Sequence, residues 1–109
     1  MAIDERIRAA VLPVVPVCAA NVDPGSAEEY CTFNYDEIPD GFGDNAPTHI
    51  RYLCQLHYFI PNGRRPTATK KALCRALLKA GFTYPSVVNA SDGDGQHYVF
   101  EFEDVDGEV

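Results

Sequence analysis

The run "THIRYLCQLHYFI", Thr48 to Ile60, limits the possible folds more than any other part of the chain. Side chains of a β-strand alternate between two faces. Ile50, Tyr52, Cys54, Leu56, Tyr58 and Ile60 therefore share one face, which is wholly apolar apart from phenol oxygens. His49, Arg51, Gln55 and His57 share the other with Leu53 and Phe59. That second face is half polar, which predicts a sheet covered on one side and part solvated or part interfacial on the other.

The rest of the pattern follows from supplying this strand with partners and a cover. Glu29 to Tyr35 alternates in the same way, with Cys31, Phe33 and Tyr35 on one face. Gln96 to Glu103 places Tyr98, Phe100 and Phe102 together, and Tyr84 to Ala90 reads as a weaker strand. Val14 to Ala20 reads as a short edge strand, where its prolines are tolerated. Ile3, Ile7, Ala10 and Val11 recur at helical spacing within 2–12, and Pro13 and Pro16 end that helix. Ala72, Leu73, Ala76, Leu77 and Ala80 predict a second helix over 67–80, capped by Thr67 or Thr69 and closed by Gly81. Lys70, Lys71, Arg75 and Lys79 fall on its wet side.

The predicted fold is α+β: a mostly antiparallel sheet with two helices packed on one face and a long loop between two central strands. A length of 109 residues, 46% hydrophobic, fits a single domain over 1–109 that needs no metal or disulfide. The acidic tail 104–109 is expected to fray.

The long loop, Asp36 to Pro47, is acidic and rich in Gly and Pro, with a lone Phe42. It supplies Asp36, Glu37, Asp40 and Asp44, but no partner acid or base is visible beside them. "SDGDGQH", Ser91 to His97, has carboxylates at alternate positions, yet His97 stands where a calcium loop needs glycine. Asp-Gly reads as a hairpin turn. His49 and His57 share a strand face at about 26 Å separation, too far for one metal. His57 and His97 approach only if their strands pair, and no third ligand is visible. Cys18, Cys31, Cys54 and Cys74 contain no C-x-x-C pair and read as buried free thiols. Cys54 and His57 point to opposite faces, so they do not form a nucleophile pair. No serine elbow, phosphate-binding glycine loop or zinc-protease motif occurs, and no enzyme activity, cofactor or metal is expected.

A formal net charge of −7 argues against tight binding of a phosphate backbone and against sequence-specific nucleic acid recognition. No stretch approaches the roughly 20 apolar residues of a membrane span. Acidic residues near the start and the interrupting prolines argue against a signal peptide, so a cytosolic protein is expected. The basic cluster "NGRRPTATKK" supplies Arg64, Arg65, Lys70 and Lys71. Together with Asp36, Glu37 and Asp44 it gives patches of opposite sign on one chain, as head-to-tail contacts between copies require.

The order of elements resembles small tail-completion and tail-terminator proteins of long-tailed phages and prophages. The likeness is carried by "YCTFNYDE", "FGDNAP", "HIRYLCQLHYFIP", "KKALCRALLKAGF" and "GQHYVFEFE", and covers 28–103. It implies a noncatalytic subunit of a ring, often six-fold, with a projecting hairpin loop. The ring would join the head to the tail or close the tail end, with DNA passing through its lumen. The implied partners are other copies and neighbouring tail or connector proteins, and the implied location is the host cytoplasm, then the virion tail. Phe42 would be the loop's apolar anchor. The competing expectation is a small cytosolic binding or regulatory module.

Overall fold

The computed structural model describes residues 2–20, 28–40 and 49–108. Helix α1 spans Ile3–Val11 and helix α2 spans Thr67–Lys79. The strands are β1 (Cys18–Ala20), β2 (Tyr30–Asp40), β3 (His49–Ile60), β4 (Ser86–Asn89) and β5 (Gln96–Glu108). They form one sheet in the order β1-β2-β3-β5-β4, in which β1 runs parallel to β2 and every other pair is antiparallel. The fold is therefore α+β, with a mixed, mostly antiparallel sheet, as the alternation predicts.

Register aligns the apolar faces. Phe33 pairs with Leu56, and Leu56 with Phe100. Cys54 stands between Tyr35 and Phe102, and Tyr58 between Cys31 and Tyr98. Against this face lie Ile3, Ile7 and Val11 of α1 and Leu73, Cys74 and Leu77 of α2, all in one buried cluster. Both helices thus cover the same side.

Several local expectations are corrected. Neither Thr67 nor Thr69 caps α2. The N-cap is Pro66, without a side-chain bond, and Thr67 already lies inside the helix. The Tyr58 phenol donates to the Glu29 carboxylate at 2.7 Å. At the other end the expectation holds. Gly81 takes φ +99°, and the Phe82 and Gly81 N–H groups donate to Leu77 and Leu78 at 3.1 Å each. This double bond closes the last turn, and only the glycine's backbone adopts it without strain. The edge strands are shorter than predicted: β1 begins after Pro16, and β4 after Pro85, because proline has no N–H for a ladder.

The largest corrections concern the loop and the tail. Asp36 to Asp40 belong to β2, paired residue by residue with β3 from Leu53 to His49. Pro39 is tolerated there because β1 reaches only Cys31 to Phe33, leaving the outer edge of β2 open. The rest of the predicted loop, with Phe42 and Asp44, lies outside the described residues. The tail, expected to fray from 104, continues as β5 to Glu108, with Asp104 opposite Tyr52 and Glu108 opposite His49. Asp104 is buried and bonds the Arg6 guanidinium, which also donates to the Ala80 carbonyl at 3.1 Å and lies 4.5 Å from the Phe82 ring centre.

The core ends at Tyr35 and Tyr52, whose rings meet edge to face at 5.7 Å. Beyond them β2, β3 and β5 run on as a three-stranded arm, with no helix of the described residues against it. From Tyr35 to Asp40 the arm adds about 16 Å at a strand's rise per residue. The molecule accordingly measures 54 × 23 × 22 Å.

Candidate interaction surfaces

The uncovered side of the sheet carries a row of flat side chains at its base. Tyr30 stacks on Phe59 at 4.7 Å between ring centres, and Phe59 on His97 at 4.2 Å. Cross-strand stacking of this kind stabilises a sheet pair by a few tenths to about 1 kcal/mol. His57 Nδ1 lies 2.8 Å from His97 Nε2, so strand pairing does bring these two histidines together. The Asn34 amide nitrogen lies 3.4 Å from His57 Nε2. Donation from Asn34 places the His57 proton on Nδ1, which then donates to His97 Nε2.

Burial, followed for His57 by the neighbouring His97, lowers the pKa of both histidines; Asp92 partly opposes this at His97. Protonating His97 at Nε2 would set donor against donor. A group with a lowered folded pKa binds more protons when unfolded, so stability rises with pH between the two values. The stabilisation is present above the unfolded value of about 6.5 and is lost as pH falls below it. Urea midpoints are therefore expected to fall between pH 7.5 and 5.5, and His97→Gln should flatten that slope. An unchanged slope in the variant would show that the pair does not drive it.

The four cysteines are free. Burial pushes Cys54 up to about 12 and Cys18 to about 11, and raises Cys31 and Cys74 as well. They remain thiols at neutral pH, which is poor chemistry for a nucleophile. The Ser91–His97 segment is a tight turn in which the Asp92 carboxylate accepts the Asp94 N–H at 2.9 Å. Among the described residues no group of three or more His, Cys, Asp or Glu is arranged to hold a metal ion. No helix among them is long and apolar enough to cross a membrane.

The basic cluster does not present itself as one patch. Arg64 bonds Glu28 at 2.8 Å, and the Gln96 amide ties the Arg64 and Pro61 carbonyls to β5. The exposed Arg64–Glu28 pair contributes at most about 1 kcal/mol. Lys70 reaches back over the Tyr98 ring, 4.2 Å from its centre. Arg65 and Lys71 are exposed. Two cations outside the predicted cluster join Lys71: Arg75 and Lys79 are also exposed, and the three recur every fourth residue along α2. The helical period carries this stripe, on the side of α2 that the sequence assigns to solvent. Asp36 and Glu37 are exposed at the base of the arm, on a strand instead of the expected loop.

Between the helices runs a groove of about 560 Å³, lined by Ala9, Ala10, Val14, Ala76 and Ala80, with Lys79 and Arg6 at its rim. Small side chains at facing helix positions leave this space open. A second cleft, of about 340 Å³, lies beside Tyr30, Phe59 and His97 at the base of the open sheet face. Compared with known proteins, the chain matches no family model and no curated protein.

Proposed function

We propose that this chain is a noncatalytic, ring-forming structural subunit of a phage or prophage tail, acting at the head–tail junction or the tail end. The observation that carries the reading is the arm. Three paired strands outrun the helical layer by about 16 Å, more than the body needs to close its own core. Exposed paired strands without a cover are a liability for a protein that acts alone. In a ring they are contact surface. The sequence resemblance supports the same reading, since the arm stands where a projecting hairpin is expected.

The charge distribution agrees with contacts between copies. Carboxylates gather on the arm and cations along the outer face of α2, opposite signs on separate parts of one chain. Such an arrangement favours heterologous, head-to-tail association, which closes into a ring when the rotation allows. Its partners would be further copies and the adjoining tail or connector proteins, first in the host cytoplasm and then in the virion. Net negative charge suits a lumen through which DNA must pass without being held.

Deleting the gene from a phage that carries it tests the reading: tails and filled heads should accumulate unjoined. Phe42→Ala should leave the melting temperature unchanged and reduce joined particles. A large fall in melting temperature would place Phe42 in the core instead. A second reading, a small binding module, is favoured by the aromatic row Tyr30–Phe59–His97 on the open sheet face. Joined, infectious particles from the deletion phage would select it.

A further inference from the structure

We infer that the groove between α1 and α2 seats the arm tip of a second copy of this chain. Its alanine-lined walls take Phe42, and the stripe Lys71, Arg75 and Lys79 takes the arm's carboxylates. The inference rests on the assembly reading above and names the contact by which copies would join.

The groove is apolar in its walls, with the Lys79 ammonium beside them; its other cation, Arg6, is already paired with Asp104. Its occupant must therefore bring apolar surface flanked by negative charge. The arm fits that requirement within this chain: Phe42 lies between Asp36, Glu37 and Asp40 on one side and Asp44 on the other. The length of the stripe also fits. Lys71 to Lys79 spans about 12 Å of helix, close to the arm's own extension of about 16 Å. Among the described residues Arg64 and Arg51 are paired with Glu28 and Glu103, whereas Lys71, Arg75 and Lys79 form no ion pair. Of these three, Lys79 lines the groove, and Arg75 and Lys71 continue its row along the exposed side of α2.

The arm cannot serve its own groove. β2 and β3 remain paired as far as Asp40 and His49, so 41–48 starts and ends at the far end of the arm. Phe42 follows Asp40 by only two residues, so its Cα stays within about 7 Å of that end. That is shorter than the arm itself, so the seat must be on another molecule. Tip of one copy to groove of the next is a heterologous contact, and it propagates.

The test places the photoreactive residue benzoylphenylalanine at position 42 and mixes isotopically light and heavy copies of the full chain. Crosslinks between light and heavy copies are expected to map to the peptides holding Ala9–Val14 or Ala76–Ala80. Light scattering up to the solubility limit should show mass rising with concentration and falling with added salt. Lys79→Glu should weaken that association by about tenfold or more, as expected for loss and reversal of a charge at a complementary contact. Ala76→Trp, which fills the groove, should do the same, and circular dichroism checks that both variants are folded. Crosslinks confined to one copy or mapping elsewhere would overturn the inference. So would association that survives both variants, which leaves the assembly reading standing. A wild-type chain that stays monomeric throughout overturns it too, as does duplex DNA binding that Lys79→Glu abolishes. The deletion phage judges the assembly reading separately.

Discussion

Asp104→Ala is expected to destabilise the fold by about 3 kcal/mol, within the range of about 3–5 kcal/mol for breaking a buried ion pair from one side. The Asp104 side chain is only 3% exposed and faces the Arg6 guanidinium, which is 26% exposed. Removing the carboxylate leaves a cation held beneath β5 by the Ala80 carbonyl and the Phe82 ring. Arg6 keeps some contact with water, which places the cost near the low end of the range. The double variant Arg6→Met, Asp104→Leu removes both charges and should recover most of the loss, because a desolvated pair contributes little beyond what apolar packing supplies. Urea denaturation of wild type, single and double variants measures this directly. A single variant within about 0.5 kcal/mol of wild type would mean that β5 does not hold Asp104 against α1 in solution.

Phe100→Ala is expected to cost about 3–5 kcal/mol. Phe100 is fully buried, opposite Leu56 on one side and Val87 on the other, with Phe33 one strand further across. The helices press on this row from above through Ile7, Leu73 and Leu77, all without solvent exposure. A paired sheet and two seated helices cannot collapse to fill the space of a ring, so transfer and cavity terms add. Phe100→Leu should recover more than half of the loss. A small effect of Phe100→Ala on the urea midpoint would show that the central row is not the core.

Much of this fold can be read from alternation alone. Strands β3 and β5 carry strict two-residue periods, and their apolar faces meet in register. Helix α2 is legible because Leu73, Leu77 and the closing Gly81 fall at helical spacing. Legibility fails where composition and pairing disagree. Asp36, Glu37 and Pro39 have loop chemistry, yet the long partner β3 keeps them in a ladder whose outer edge is open. Asp104 looks like the start of a solvated tail because its partner Arg6 lies at the other end of the chain. Arg6 directly follows the polar Asp4 and Glu5, and only its position beside Ile3 and Ile7 marks it as near the core. Among the candidate surfaces, the acidic arm was visible as charge. The α2 stripe was visible as the wet side of a helix, because its cations stand four residues apart at helical spacing.

The bond between Arg6 and Asp104 also sets an order of events on the ribosome. Strands β2 and β3 are neighbours along the chain and can zip as soon as both have left the exit tunnel. Helix α1 is synthesised before these strands but has to wait for its anchor until residue 104 has emerged. Nascent chains stalled before residue 104 should therefore carry a formed hairpin and an N-terminal segment still open to protease.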